Sequence, residues 1–245
     1  MKKTRHPAVR GAALAAGQAM SLYDRAADVA RFVYDRRIAG PPVLDLAGHF
    51  PGAADFVRAW REIRDEAAGV AAALAQVPRF HEIMPEQASI SANDRRDWRL
   101  FILKACGVKV ARNMARCPRL AALVVASPDV LSASLSFMAP RKHIPPHRGP
   151  FRGVLRFYLP LAMPRTAEGW PAAVLRIAGR DYPLAEGQCL LWDDTYVHEV
   201  WNRSDELRTV LLLDVRRHGM PKDMVLLSRL LIATVRASVA LRGVA

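Results

Sequence analysis

Between residues 17 and 38, Met20, Tyr23, Ala27, Ala30, Val33 and Tyr34 fall three or four positions apart among charged residues. A stripe of that period buries one face of an α-helix. Gly40-Pro41-Pro42 ends it, because proline brings no amide hydrogen to the helix ladder. Residues 52–76 repeat the pattern, with Phe56, Ala59, Trp60, Ile63, Ala67 and Val70 on one face and Arg and Glu on the rest. This second helix is expected to pack on a sheet.

Beyond it the texture becomes β-rich. Residues 97–110 read as strand and 117–130 as a short helix closed by Pro128. Six strand-like runs follow at 132–138, 153–161, 172–179, 188–193, 197–202 and 207–215, separated by turn stretches such as AGRDYP, EGQ and NRSDE. Six short strands with no helix between them exclude a parallel α/β sheet and point to a sandwich or jelly roll, mainly β with flanking helices. With 245 residues and 51% hydrophobic content the chain is long enough for one sizeable core.

Charge alters the picture at the ends. Of the formal +13, residues 1–40 hold eight Lys/Arg against three Asp and residues 216–245 hold six against one, so the 175 residues between carry only +3. No helix-turn-helix, zinc-finger or aromatic RNA-binding signature is present, so nucleic acid is not an expected partner. Basic, apolar ends fit an anionic membrane surface or a protein partner, with plain solvated surface as the alternative. In 219–245, Lys222, Arg229 and Arg236 are seven apart and share one stripe of an amphipathic helix, which lies either on the protein's own sheet or on lipid.

Cys106, Cys117 and Cys189 are odd in number and widely spaced, so neither a disulfide framework nor a zinc knuckle is indicated. A cytoplasmic location is expected, peripheral on the inner face of the cytoplasmic membrane if the ends bind lipid. Residues 1–20 start basic but continue in Ala and Gly, unlike an export signal, and no uninterrupted apolar run reaches the roughly 18 residues of a membrane span.

His6, His49, His81 and His218 read as surface histidines. His143 and His147 have the spacing of a helical metal pair, but Pro145 and Pro146 forbid the helix, so the stretch reads as a stiff loop from which one imidazole enters a site. In a jelly roll, His147 and His198 can converge on one metal from facing strands. Arg208 follows His198 by ten residues across a tight hairpin at NRSDE, on an expected neighbouring strand, and Arg156 occupies an alternating position of VLRFYLPL. An arginine inside a β-sandwich is costly unless it meets an anion. Two inward guanidiniums beside two histidines describe a pocket for a small carboxylate that also binds the metal. Glu199 should face away from His198, Trp192 and Trp201 read as core, and Asp193 and Asp194 either orient His198 or shape a turn.

SFMAP, HIPPHRGP, VLRFYLPL and WDDTYVHEVWN followed by Arg208 resemble the aspartyl/asparaginyl β-hydroxylase family of Fe(II)- and 2-oxoglutarate-dependent oxygenases, which includes bacterial lipid A and ornithine lipid hydroxylases. The likeness runs from Trp98 to Val215, and WREIRDEA near residue 60 is similar to the helix preceding the domain in lipid-modifying members. The resemblance implies a cupin-like double-stranded β-helix over 41–218, flanked by a basic helical segment (1–40) and the helix of 219–245. It also implies Fe(II) held by His147 and His198, with Arg208 on the distal carboxylate of 2-oxoglutarate. Ser136 and Arg156 would hold that cosubstrate from neighbouring strands, Met138 and Val200 would line its slot, and O2 would be the co-reactant.

Two positions depart from relatives. Tyr158 replaces a histidine of the animal enzymes, so that cosubstrate contact changes or passes to a phenol. Gly149 stands where most of the wider superfamily and the lipid A hydroxylases place a carboxylate ligand, and is glycine as in the aspartyl/asparaginyl enzymes; the chelating cosubstrate lets the metal keep its charge compensation with water there. A halide in that position, and halogenation, is the alternative outcome. The implied reaction is hydroxylation of an unactivated C–H. Basic ends favour a lipid acyl chain, Gly149 and HEVWN favour an aspartyl/asparaginyl side chain or free amino acid, and a non-catalytic cupin-like binding protein is the remaining reading.

Overall fold

Sheet faces, more than local propensity, organise this chain. The computed structural model describes residues 22–243, so Met20 and the expectations for residues 1–21 lie outside the described residues. Helix α1 covers Leu22–Arg37, and β1 (Val43–Leu44) and α2 (Leu46–His49) lead to α3 (Ala53–Arg58) and α4 (Trp60–Ala71). The single helix expected over 52–76 is therefore broken: Ala59, with ψ of 12°, ends α3 and begins α4, and a 3-10 turn follows at Leu74–Gln76. The apolar stripe survives because Phe56, Ala59, Ile63, Ala67 and Val70 all enter one core; periodicity reports the buried face and not the continuity of the axis.

Short helices α5 (Phe80–Ile83) and α6 (Ala88–Ser91) precede β2 (Trp98–Ala105), which turns through left-handed Cys106 and Gly107 into β3 (Val108–Lys109). Helices α7 (Ala111–Arg116) and α8 (Pro118–Ala126) follow. Then come β4 (Val130–Met138), β5 (His143–His147), β6 (Val154–Ala162), β7 (Ala173–Ile177), β8 (Arg180–Tyr182), β9 (Leu190–Trp192), β10 (His198–Asn202) and β11 (Arg208–Arg216). Helix α9 (Lys222–Arg242) closes the order.

Strands β1-β9-β6-β11-β4-β2-β3 form a seven-stranded sheet and β5-β10-β7-β8 a four-stranded one, with antiparallel pairing throughout. The chain crosses between sheets from β4 to β5 and again through β9, β10 and β11, giving a jelly-roll core. The larger sheet is covered on both faces, which is why β6 and β11 read as nearly continuous apolar runs. Leu155, Phe157, Leu159, Leu211 and Leu213 meet Phe56, Ile63, Val70 and Leu120 of the helices. The alternate residues Tyr158 and Val210 meet Ile144, Leu175 and Val200 of the smaller sheet. The site lies in that second layer.

Outside it, Tyr34 of α1 bonds Ser228 of α9 at 2.6 Å, and Met224 joins the same small cluster. By length and composition α9 is long and apolar enough to cross a membrane, although no uninterrupted apolar run marks it in the sequence.

Candidate active site

Strands β5 and β10 are neighbours in the smaller sheet, and His147 pairs directly with His198, their ring centroids 4.0 Å apart. The rings thus converge from adjacent strands and not from facing ones. Val200 pairs with Ile144, so one step from position 198 to 200 on β10 matches a longer step from 147 to 144 on β5. The extra residue is a bulge at Pro145-Pro146, where neither amide can join the ladder. It also separates the two histidines of HIPPH. His147 turns inward, while His143 stacks on Trp201 at 5.0 Å and reaches Glu199 at 3.2 Å on the outer face. The expected stiff loop is a bulged strand, Glu199 does face away from His198, and Trp201 belongs to this outer stack instead of the core.

Both inward rings are fixed by one device: His147 Nδ1 lies 2.8 Å from Pro145 O and His198 Nδ1 2.9 Å from Tyr196 O. A carbonyl only accepts, so each Nδ1 carries the hydrogen and each Nε2 keeps its lone pair. Burial pushes His147 down to about 4, and burial with the adjacent His147 pushes His198 well below its usual value. Two neutral imidazoles with free Nε2 atoms are metal-ligand chemistry. Among the described residues, no third His, Cys, Asp or Glu completes a protein-only metal cluster.

The turn before β10 explains why. Gly149 N donates to Asp194 O at 2.7 Å, and a Cβ at residue 149 would run into the Asp194 carboxylate. Burial pushes that carboxyl up to about 6 against the pull of Arg156. Asp193 shapes the turn, accepting from Thr195 N at 3.1 Å and from Arg217 at 2.8 Å.

Arg208 opens β11 and is 2% exposed. One Nη donates to Ser136 Oγ at 3.3 Å, the guanidinium stands 5.4 Å from the Tyr158 ring centroid, and Nε has no partner. Among the described residues no carboxylate pairs with it. The NRSDE turn is not a hairpin between neighbours: β10 lies in the smaller sheet and β11 in the larger, so His198 and Arg208 meet across the sandwich. Ser136 is held in turn by Trp98 Nε1 at 3.0 Å.

Arg156 differs. Its partner across the ladder is Asp214, at 2.9 Å, with Asp194 at 3.4 Å; burial opposes its charge, but these two carboxylates hold it on. Both expected guanidiniums reach the cavity, but they differ in pairing: Arg156 is held by Asp214 and Asp194, whereas Arg208 meets no carboxylate among the described residues.

A cavity between the sheets brings together Ser136, His147, Arg156, Tyr158, His198, Val200 and Arg208. Met138 is not on its wall: it is fully buried, paired with Trp98 and Arg208 in the ladder. Trp98, Ile144, Leu175, Trp192 and Leu212 complete the lining. Sequence reasoning assigned none of them to the site, since an apolar residue at an alternating position looks the same in a core and in a pocket. Trp192 stands edge-on to His198 at 4.4 Å, and its buried Nε1 finds no acceptor among the described residues. A roomier groove of about 480 Å³ between α4 and the ends of β6 and β11 holds no histidine; alanines and leucines line it together with Arg64, Glu206 and Thr209.

Residues 57–218 match the family model described as Aspartyl/Asparaginyl beta-hydroxylase. The chain is 36% identical over 178 residues to an ornithine lipid ester-linked acyl 2-hydroxylase of Rhizobium tropici, covering 73% of this chain and 61% of that protein. It is 29% identical over 164 residues to the human aspartyl/asparaginyl beta-hydroxylase, covering 64% of this chain and 20% of that protein. The chain thus spans less than two thirds of the length of either relative. Among solved structures, a salicylate 1,2-dioxygenase from Pseudaminobacter salicylatoxidans aligns over 34% of this chain and 21% of its own, at 19% identity and a TM-score of 0.28, a likeness too slight to carry weight.

Proposed function

Because the chain belongs to the aspartyl/asparaginyl β-hydroxylase family, we propose that it is an Fe(II)- and 2-oxoglutarate-dependent hydroxylase acting on a lipid acyl chain at the membrane face, on the cytoplasmic side. On this reading residues 41–218 form the oxygenase domain. The observation that carries it is Arg208, a buried guanidinium lacking a carboxylate partner among the described residues, in the same cavity as two imidazoles whose Nε2 atoms keep their lone pairs. A site built only for stability would leave neither unmet.

His147 and His198 would hold the metal through Nε2, with the Pro145 and Tyr196 carbonyls keeping the rings in register. Arg208 and Ser136 would seat one carboxylate of the cosubstrate, and the unpartnered Trp192 Nε1 would donate to an acceptor near the metal. When bound, Fe(II) with 2-oxoglutarate and O2 supplies the oxidation that places a hydroxyl on an unactivated C–H, with the cosubstrate leaving as succinate and CO2. The chain's own contribution is positional. Ile144, Leu175, Val200 and Leu212 keep the cavity dry, and Arg156 stays with Asp214 and Asp194, leaving a single cationic seat.

The acyl-chain assignment draws on the Rhizobium tropici relative and on these apolar walls. Anaerobic titration with Fe(II) and 2-oxoglutarate should develop a metal-to-ligand absorption band in wild type and not in Arg208→Ala. Under O2, total lipid extract should yield succinate and a lipid heavier by one oxygen, while peptides bearing Asp or Asn should not be modified. Modified peptide with unmodified lipid would move the assignment to the side-chain hydroxylases. Succinate without either product would leave the hydroxylase and remove the acyl chain. A chlorinated product in chloride buffer would replace hydroxylation by halogenation.

A further inference from the structure

Helices α1 and α9 each turn an apolar face away from the protein. On α1, Leu22, Arg25, Val29, Phe32 and Arg36 follow at steps of three and four, opposite the buried Ala27 and Tyr34. Leu22 is 85% exposed and Phe32 59%, with the Arg36 guanidinium 3.5 Å over the Phe32 ring. On α9, Met224 and Ser228 are buried, and the opposite side presents Leu226, Leu230 and Leu241 at 70%, 63% and 88% exposure. Lys222, Arg229 and Arg236 run along one flank of that leucine stripe. The one acidic residue of α9, Asp223, is paired with Arg37 at 2.9 Å. Large exposed apolar side chains in rows mark a surface meant to be covered, and a cationic flank says by what charge.

The same helices grip the loop that follows the ligand His147. Arg31 donates to Gly149 O at 2.9 Å, and Asp35 meets Arg152 at 3.1 Å and Arg148 at 3.5 Å. Phe151 packs on Tyr34 with ring centroids 5.7 Å apart, and Ser228 sits so close over Gly153 that any Cβ there would strike its Oγ.

We propose that α1 and α9 together dock this protein flat on an anionic lipid surface, setting the ligand loop 148–153 beside the headgroups. Flat docking fits better than crossing: a span would break the Tyr34–Ser228 bond at 2.6 Å and carry the charged Arg229 and Arg236 into hydrocarbon. The purpose of the docking rests on the acyl-chain reading, but the binding does not, so its test involves no turnover.

The full chain is sedimented with phosphatidylcholine vesicles or with vesicles also containing phosphatidylglycerol. Binding is expected only to the anionic vesicles, weakening as salt rises. Leu226→Ser/Leu230→Ser and Arg229→Glu/Arg236→Glu should each weaken it about tenfold or more at an unchanged unfolding temperature, since all four side chains are exposed. Variants that bind like wild type, equal binding to neutral vesicles, resistance to alkaline extraction as a spanning helix shows, or a dimer that the leucine variants dissociate would each overturn the proposal. Lipid hydroxylation by a protein that does not bind vesicles would refute the docking alone; vesicle binding by a protein inert on lipid would refute the acyl-chain reading alone.

Discussion

A guanidinium buried to 2% exposure with no carboxylate beside it among the described residues raises the free energy of the unliganded protein, so at Arg208 stability and binding pull in opposite directions. Arg208→Met should raise unfolding stability by roughly 1–4 kcal/mol, as apolar replacement of buried charge commonly does. It should also weaken 2-oxoglutarate binding by about 2–5 kcal/mol, some thirtyfold or more. Thermal unfolding and anaerobic titration on the same sample check both signs; a destabilised variant would mean that the contacts of Arg208 with Ser136 and Tyr158 outweigh the cost of burying its charge. Trp192→Phe should cost about 1 kcal/mol of affinity, the net value of one hydrogen bond, with little effect on stability because its Nε1 bonds nothing among the described residues. Gly149 is constrained differently, by the Asp194 carboxylate against its Cα. Gly149→Ala should destabilise by roughly 1–3 kcal/mol through overpacking, and Asp194→Ala in the same chain should recover most of it, a non-additivity that urea denaturation of the double-mutant cycle measures. For the same reason Gly149→Asp should lose stability without gaining a metal ligand.

At the scale of elements, the bulge in β5 decides which histidine faces the cavity. Deleting Pro146 removes the extra residue and turns His147 toward the outer face, so Fe(II) binding followed by calorimetry should vanish. Pro145→Ala/Pro146→Ala keeps the residue count and should keep the binding, which separates register from proline stiffness. How much of this was legible follows from what local sequence encodes. The six strands read from alternation lie within a residue or two of the observed ones, since period two is a local signal; β11 reads as 207–215 and is Arg208–Arg216, while the short strands β1, β5 and β8, two or three residues long or rich in proline, carry no such signal. The turn at NRSDE does not say whether it joins neighbours or carries the chain to the opposite sheet, so the facing and adjacent relations of His147, His198 and Arg208 were exchanged. The inward arginine at 208 was legible as a charge in an apolar strand. The neutralisation of Arg156 was not, because Asp214 lies 58 residues away and only the β6–β11 register brings it opposite.

Over the whole molecule, pH acts through groups that burial has displaced from their usual values. His147 is pushed from 6.5 down to about 4 and His198 also falls far below 6.5, so between those values the unfolded chain takes up protons that the metal-free fold refuses. Stability then declines as pH falls from about 6.5 to 4, by on the order of 3 kcal/mol from His147 alone. Asp194 opposes this in part: raised from 3.8 to about 6, it binds a proton in the fold before it does in the unfolded chain and favours the fold as pH falls. A separate step lies lower. Lys142 is fully buried, its Nζ donating to Ser91 O at 2.6 Å, Asn93 Oδ1 at 2.7 Å and Asp94 Oδ1 at 2.6 Å. Burial raises the Asp94 carboxyl, but hydrogen bonds from Lys142, His143 N and Arg96 N outweigh it, leaving a net value below 3.8. That pair therefore contributes stability above the ordinary carboxylate range and loses it as pH falls through 3.8 toward the lower folded value. Urea denaturation of the metal-free protein should show two acid limbs. His147→Gln should flatten the one between 6.5 and 4, and Asp94→Asn should abolish the lower one while costing about 3 kcal/mol at neutral pH by stranding a buried ammonium. An unchanged slope in His147→Gln would mean that the imidazole takes up its proton in the folded state as readily as in the unfolded chain, and that burial does not hold it neutral.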